Sequence, residues 1–473
     1  MNARKLLGYA LGPLGGAVVG VVSLPLISWY FPAEDIGRII MLQTVAGLVL
    51  LLMGLGLDQA YIREYHAAGN KAALFKTAAL PPVLLTLLLF GGIALWNMRW
   101  PSEKILDLSN GALGICCLIF FFGTLLVRYL SLILRMQEKA FAFSFSQLTP
   151  KVLILVLVLG YVLSGTETNT FTLVLAYALT QVITVGVLVL QTRTELAAAC
   201  ATPWSPELLK NSLHYGFPLA LGGLAYWGFT SADRFLLKEL GGLSELGIYS
   251  MAVSFGAIAL IFQSIFSTIW APMVFKWVKE GTNLDKIGGI TGFMTDLIAA
   301  ILCLVGIFSP LVTWILPDKY APVQFILLSS MLFPLLYTLT EVTGIGINVS
   351  KKTWLITLFS VVALLCNLGL LYWLVPPLGA KGAAMSTAVS FWVFSVLKTE
   401  ASVRLWQKLP RTQLYGTMMA CLICCLAYTC WGNTENYFVF AAVWLLVLAA
   451  LCVKHRNRLR YAVSAISGRL KKN

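Results

Sequence analysis

Residues Thr230–Met251 read T-S-A-D-R-F-L-L-K-E-L-G-G-L-S-E-L-G-I-Y-S-M and join two long apolar runs near the middle of the chain. An acid and a base, Asp233 and Arg234, stand side by side where the first of these runs ends. A weaker copy, F-P-A-E-D-I-G-R-I at Phe31–Ile39, lies about half a chain earlier. The two stretches together indicate a duplicated protein built from apolar segments.

Composition predicts an all-α polytopic membrane protein. Apolar residues make up 59% of the 473 residues and charged residues only 11%, against about 25% charged in an ordinary soluble domain. Much of the charge lies between apolar runs long enough to cross hydrocarbon, for which about 20 residues suffice. The first run follows Arg4 and Lys5 without a small-residue cleavage site, so we expect it to be retained as a helix.

The apolar runs predict about fourteen transmembrane helices. Their approximate bounds are 6–30, 36–57, 77–97, 111–134, 148–164, 171–191, 213–237, 247–271, 289–316, 323–347, 354–375, 382–404, 413–431 and 438–453. Of the 34 Lys and Arg, one side of the membrane receives only Arg38, Arg99, Lys104, Arg234, Lys238, Lys319 and Lys381. This positive-inside asymmetry predicts cytoplasmic termini in an inner membrane, and it accounts for the net charge of +14 without a nucleic-acid partner.

A shift of about 210 residues lays the first six predicted spans over the next six. Glu34–Gly37 then meets Ser244–Gly247, and a shift of 213 lays Arg128 over Glu341. Because six is an even number, both copies have the same orientation, which predicts two pseudo-symmetric six-helix lobes around a central cavity.

The repeat gives the predicted domain bounds. Residues 1–200 form an N-terminal lobe, 201–410 a C-terminal lobe, and 411–473 two extra helices with a basic cytoplasmic tail. Apolar residues at helical spacing in this tail allow an amphipathic helix on anionic lipid, or a frayed tail that only fixes orientation: Leu459, Val463, Ile466 and Leu470.

Arg128 and Glu341 are the first candidate site residues, because ionisable groups inside a span cost about 2.5–3.5 kcal/mol on insertion scales. Arg128 lies seven residues before Arg135, roughly 10 Å deep at the helical rise per residue. It is interpreted as a cationic site for an anionic ligand, and Glu341 as an ion-coupling or gating group. The alternatives are a salt bridge between the two residues, or Arg128 reaching the cytoplasmic surface.

Three further residues are candidates. Asp296 lies deep in the ninth span, where it either couples transport to an ion or bonds a neighbouring helix. Asp233 is a candidate coupling or gating group, or an orienting group at the lobe entrance. Arg63, in the loop D-Q-A-Y-I-R-E-Y-H after the second span, either gathers phosphate groups or carries an orientation charge.

The motifs resemble the polysaccharide flippases of the multidrug/oligosaccharidyl-lipid/polysaccharide exporter superfamily. The similar stretches are F-P-A-E-D-I-G-R-I-I-M, M-G-L-G-L-D-Q-A-Y-I-R-E-Y, D-R-F-L followed by G-I-Y, and L-G-A-K-G-A-A-M-S-T-A. The resemblance implies alternating access by two lobes. It implies as cargo a polyprenyl-diphosphate-linked oligosaccharide for surface polysaccharide such as the O-antigen of lipopolysaccharide. It also implies as partners the membrane lipids, H⁺ or Na⁺, and membrane proteins of polysaccharide assembly.

Two other functions remain open from the sequence. A cation-coupled drug antiporter of the same superfamily requires acids in the cavity, which Asp296 and Glu341 supply. A membrane polymerase or ligase requires reactive groups on a large outer loop, and the outer loops are short. The chain has no P-loop and no catalytic motif of the common hydrolase types, and its Cys-rich spans have no His partners. We therefore expect a transporter rather than an enzyme, with no cofactor and no metal site.

Overall fold

Every regular element in the described parts of the chain is helical, as apolar segments in hydrocarbon require, because a helix bonds its own backbone groups. The computed structural model describes residues 3–281 and 286–454. The basic tail predicted to be amphipathic or frayed lies outside these residues. The predicted all-α fold class is confirmed. The chain forms two compact units, Met1–Ile261 and Phe262–Asn473.

The helices of the first unit, the last of which runs into the second unit, have these bounds: α1 Ala3–Ser28, α2 Ala33–Gly54, α3 Leu57–Glu64, α4 Lys71–Asn97, α5 Trp100–Leu106, α6 Gly111–Met136, α7 Ala140–Leu163, α8 Thr170–Gln191, α9 Arg193–Ala201 and α10 Pro206–Lys279. Asparagines begin three of them: Asn70, Asn110 and Asn169 accept hydrogen bonds from first-turn amides of α4, α6 and α8. These caps satisfy amides that no helix can pair internally.

The second unit contains α11 Lys286–Phe308, α12 Leu311–Ile315, α13 Val323–Thr343, α14 Ile345–Val349, α15 Trp354–Leu378, α16 Ala380–Leu405, α17 Thr412–Trp431 and α18 Tyr437–Lys454, with a 3₁₀ turn at Asp318–Tyr320. Helix α13 is central to this unit, since 83% of the residues in its most apolar 18-residue segment are buried, against 6% of those in α18. It packs on α11, α16 and α17.

Within the described residues, eleven helices are long and apolar enough to cross a membrane. They are α2, α4, α6, α7, α8, α11, α13, α15, α16, α17 and α18. If α1 and both parts of α10 also cross, the count becomes the predicted fourteen, which stays a prediction. So does the arrangement of two lobes around a central cavity.

Helix α10 contains the stretch that joins the seventh and eighth predicted spans. Gly242 breaks it with φ 86° and ψ 171°, a conformation that residues with a Cβ rarely adopt. The break divides α10 into residues 206–241 and 243–279. The hydroxyl of Tyr249 after the break donates to the carboxylate of Asp233 before it, which ties the two parts together.

The two repeat copies meet at equivalent glycines. A Cβ on Gly37 would lie 2.0 Å from the carbonyl oxygen of Leu243, and a Cβ on Gly247 would lie 2.0 Å from that of Ala33. The shift of 210 residues that relates Glu34–Gly37 to Ser244–Gly247 also relates Ala33 to Leu243. The contact is therefore reciprocal and supports the predicted repeat.

Two local predictions were wrong. The stretch after α2, expected to be a loop, is the short helix α3, which buries Leu57, Ala60 and Tyr61 on one face. Helix α7 begins at Ala140 rather than near 148. Its earlier start places Lys151 well inside the helix instead of near its end.

Candidate functional site

A cavity of about 650 Å³ lies within the first unit, lined by residues of α1, α2, α6, α7, α8 and α10. Its size falls in the range of small-molecule sites, about 300–1,000 Å³. Most of the wall is apolar or small, but polar side chains interrupt it, among them Gln43, Lys151, Tyr177, Gln181, Arg234 and Ser250. The described lining residues include two cations and no carboxylate.

Lys151 reaches the cavity from the middle of α7. It stands eleven residues after Ala140, about 16 Å along the helix. Its ammonium donates to the carbonyl oxygen of Gly16 on α1 at 2.6 Å. A Cβ on Gly16 would lie 3.3 Å from this ammonium, so the glycine leaves room for the lysine.

Arg234 reaches the same cavity from α10. Its Nη1 donates to the hydroxyl of Thr44 at 3.3 Å. Within residues 3–281 and 286–454, no carboxylate lies within 4.0 Å of the charged nitrogens of Arg234 or Lys151. The adjacent Asp233, buried at 5% exposure, accepts from Tyr249 and from the backbone amide of Arg234 at 2.9 Å. Arg234 therefore keeps donors for a ligand.

Two buried polar atoms of the cavity wall have no hydrogen-bond partner in the described structure. They are Oε1 of Gln181 on α8 and Oγ of Ser250 on α10. Gln181 packs closely on Gly123 of α6. A Cβ added to Gly123 would lie 2.6 Å from the Cβ of Gln181. Buried polar groups in native proteins are usually bonded, so these two wall residues have unused hydrogen-bonding capacity.

Arg128 is paired within its own unit. Its Nε and Nη2 donate to Oδ2 of Asp58 at 3.1 and 2.6 Å. The arginine and aspartate side chains are 32% and 18% exposed. Asp58 begins α3, so the structure fastens α6 to the short helix that carries Arg63.

Arg63 lies on the surface of α3. Its guanidinium is 4.1 Å from the ring centroid of Tyr215, and it pairs with Glu64 at 3.4 Å. Burial raises the pKa of the neighbouring Tyr61, and the charges of Tyr65 and Glu195 raise it further. Neither Arg63 nor Arg128 is among the described residues that line the cavity.

Glu341 pairs with Lys398 in the second unit. Oε1 of Glu341 on α13 lies 3.3 Å from the ammonium of Lys398 on α16, and the two side chains are 19% and 5% exposed. The ammonium also donates to the hydroxyl of Thr340 at 3.2 Å. It lies 5.3 and 5.7 Å from the ring centroids of Tyr337 and Phe394.

Asp296 of α11 bonds side chains of α17 and α18. Its carboxylate accepts from the ammonium of Lys454 on α18 at 2.7 and 3.0 Å. It also accepts from the side-chain amide of Gln413 on α17 at 3.2 and 3.4 Å. Asp296 is 5% exposed. The geometry is that of a helix-to-helix tie, the alternative that the sequence left open for this residue.

The family model for polysaccharide biosynthesis proteins matches residues 3–278, more than half of the chain. The chain belongs to the polysaccharide biosynthesis protein family. No curated protein sequence matches it.

Solved structures of transporters share the fold of this family member. A lipid II flippase, MurJ, in an inward closed conformation matches with a TM-score of 0.68 at 12% identity, over 95% of this chain and 99% of that chain. An inward-facing multidrug resistance transporter of the MATE family, in the MOP superfamily, matches with a TM-score of 0.60 at 15% identity, over 85% and 96%.

A third match is a transporter of the same superfamily from Pyrococcus furiosus, described by the reversed polarity of its binding pocket. It has a TM-score of 0.50 at 16% identity, over 85% of this chain and 95% of that chain. Such identities establish a common fold, and the family model confirms the polysaccharide family that the motifs predicted.

Sequence inspection missed three cations of this polysaccharide biosynthesis protein: Lys151, Arg234 as a cavity residue, and Lys398. Lys151 and Lys398 were counted among the charges of inner loops. Both lie inside helices, Lys151 in α7 and Lys398 seven residues before the end of α16. The available signal was their position within apolar sequence, the criterion that selected Arg128.

Proposed function

We propose that this protein flips a polyprenyl-diphosphate-linked oligosaccharide across the cytoplasmic membrane by alternating access, for assembly of a surface polysaccharide of the O-antigen type. The supporting observation is the cavity with two cations, Lys151 and Arg234, and no acid among its described lining residues. An anionic cargo offsets the cost of holding both charges inside a span. Arginine is suited to phosphate because its planar guanidinium bonds two oxygens at once.

The same observation weighs against the alternative, a cation-coupled drug antiporter. A cationic drug requires carboxylates in the binding cavity, and the acids that favoured this function lie elsewhere. In the described structure Glu341 pairs with Lys398, and Asp296 pairs with Lys454. In each pair the lysine neutralises the carboxylate that a cationic drug would require.

The remaining candidate residues are assigned to steps around this cavity. We assign Arg128 and Arg63 to collection of the diphosphate near α3, where Arg128 must exchange Asp58 for phosphate. Glu341 is assigned to gating or coupling to H⁺ or Na⁺ through its pair with Lys398. Asp233 ties the two parts of α10 together and Asp296 ties α11 to α17 and α18. A coupling role for either acid requires that these bonds open during transport.

The test is a double substitution, Lys151→Gln with Arg234→Gln. Loss of a hydrogen bond to a charged group costs about 1.5–3 kcal/mol, which corresponds to roughly 10- to 100-fold in affinity. We expect export of surface polysaccharide to fall by at least about tenfold while lipid-linked intermediates accumulate in the membrane. Arg234→Lys keeps the positive charge but loses the bidentate hydrogen bonding of the guanidinium, so this variant is expected to retain part of the export.

Arg99→Gln is the matched control, because Arg99 is an exposed cation at the start of α5 and is not among the described lining residues. Protein levels in the membrane are measured for every variant by immunoblotting. Wild-type export by the double variant at a wild-type protein level would overturn the proposed function.

A further inference from the structure

We propose that Gln181 and Ser250 form a subsite that recognises the hydroxyl groups of the sugar attached directly to the diphosphate. This inference rests on the proposed function, because it takes Lys151 and Arg234 as the diphosphate site. It adds a recognition element for the part of the cargo that differs between polysaccharides.

The first step is the state of the two polar atoms. Oε1 of Gln181 and Oγ of Ser250 are buried and have no hydrogen-bond partner in residues 3–281 and 286–454. Both residues line the cavity, so rotation of either side chain can bring its unsatisfied atom to a ligand. By contrast, the hydroxyl of Ser254, on the same helix and in the same wall, donates to the carbonyl oxygen of Met251 at 2.7 Å. The wall therefore contains both satisfied and unsatisfied hydroxyls.

The second step is chemical complementarity. A glutamine side chain accepts through its oxygen and donates through its nitrogen, while a serine hydroxyl does either. A sugar hydroxyl also donates and accepts, so one sugar ring can bond both residues at once. Neither residue is charged, which suits a neutral sugar and leaves the phosphates to Lys151 and Arg234.

The third step is rigidity. Gly123 of α6 permits an approach that a Cβ would prevent, since that atom would lie 2.6 Å from the Cβ of Gln181. The Gln181 side chain is only 9% exposed. Packing therefore holds the Cβ of Gln181 in place before any ligand arrives, while its amide group can still rotate. Preorganised polar groups discriminate strongly, because a ligand that lacks the matching hydroxyl leaves them without a partner.

The fourth step is adjacency along the cargo. Lys151, Arg234, Gln181 and Ser250 all line one cavity of about 650 Å³. When the cations hold the diphosphate, the group bonded to it on the side away from the lipid is the first sugar. The neutral polar wall is thus within reach of that sugar.

The experiment measures binding to the full-length protein in lipid nanodiscs. Three probes are used: polyprenyl diphosphate without sugar, the same lipid with one hexose, and the same lipid with a deoxyhexose that lacks one hydroxyl. We expect wild-type protein to bind the hexose probe about two- to tenfold more tightly than the sugar-free probe, the range expected for one hydrogen bond between neutral groups.

The variants Gln181→Leu and Ser250→Ala are each expected to lose most of that preference while binding the sugar-free probe as the wild type does. Ser254→Ala is the matched control and is expected to keep the preference. Lys151→Gln with Arg234→Gln is expected to weaken binding of all three probes. This result separates the cationic site from the sugar subsite.

Equal binding of hexose and sugar-free probes by the wild type would overturn the subsite and leave the proposed function intact. So would an unchanged preference in both wall variants. If the double variant Lys151→Gln with Arg234→Gln binds every probe as the wild type does, the proposed function fails as well. Should Gln181→Leu fail to fold, Ser250→Ala and the wild-type ratio still decide the matter.

Discussion

The pair of Lys398 and Glu341 shows at the scale of single residues how this protein holds charge inside a helix bundle. The lysine is 5% exposed and the glutamate 19%, and two aromatic rings flank the ammonium. Removal of one member of a buried pair costs about 3–5 kcal/mol, because the other charge stays buried. Replacement of both members by neutral groups costs far less.

We expect Glu341→Gln to lower the free energy of unfolding by about 3–5 kcal/mol. The double variant Glu341→Gln with Lys398→Met is expected to recover most of this loss, because no unpaired ammonium remains. Thermal unfolding in detergent measures both. Because we assign Glu341 to gating or coupling, the stable double variant is expected to remain defective in polysaccharide export.

Glu400→Gln is the control for this prediction. Glu400 lies on α16, the helix of Lys398, and pairs with Arg411, which is 44% exposed, so its loss is expected to cost under about 1 kcal/mol. Full export by the stable double variant would show that the Glu341–Lys398 pair has only a structural role, and would contradict the gating or coupling assignment of Glu341.

At this scale the sequence located charges but not their partners. Arg128, Glu341, Asp296 and Asp233 were found because each interrupts an apolar run. Arg128 bonds Asp58, 70 residues away, and Asp296 bonds Lys454, 158 residues away. Such separations carry no local pattern. Lys151 was missed because the start of α7 was placed about eight residues too late.

The crossing of α2 with the second part of α10 is a tightly constrained contact between elements. Gly37 and Gly247 each face a backbone carbonyl at a distance that excludes a Cβ. Rotation of a side chain cannot relieve such a clash, since both partners are main chain. The helices themselves must move apart.

We expect Gly37→Ala and Gly247→Ala to destabilise the protein by similar amounts, about 1–3 kcal/mol each, the usual cost of overpacking. The similarity follows from the reciprocal geometry of the contact. Gly222→Ala is the control on the same helix, because a Cβ there meets open space. It is expected to be neutral or stabilising by up to about 1 kcal/mol.

Thermal unfolding of the three purified variants measures these differences. A neutral effect of either Gly37→Ala or Gly247→Ala would contradict the close crossing.

For elements, the sequence predicted periodic features well and short ones poorly. The register of 210 residues identified Gly37 and Gly247 as equivalent, and the structure places each of them against a backbone carbonyl of the other copy. The connection between the seventh and eighth spans was located within Thr230–Met251, and the break is at Gly242. Helix α3 was missed because eight residues are too few for a clear helical pattern, and the αL turn at Leu55 and Gly56 has no strong signature.

At the scale of the whole molecule, α17 and α18 lie outside the predicted repeat, and both pack on α11 of the second unit. Asp296 accepts from Gln413 and Lys454, one residue from each added helix. Gly306 of α11 packs on Trp444 of α18, since a Cβ there would lie 2.7 Å from the indole nitrogen. The tie indicates that the added helices support α11.

A chain that ends at Arg411 tests this role, because it lacks both helices and with them Gln413 and Lys454, two side chains that bond Asp296. In the shortened chain Asp296→Asn is expected to raise the amount of inserted protein, since an amide costs less than a carboxylate to leave in an apolar bundle. In the full chain the same substitution is expected to lower the free energy of unfolding by about 1.5–3 kcal/mol, because it weakens charged hydrogen bonds. Membrane immunoblots and thermal unfolding measure the two effects. If Asp296→Asn acts in the same direction in both chains, the main role of Asp296 lies within the second lobe, and the coupling assignment gains support.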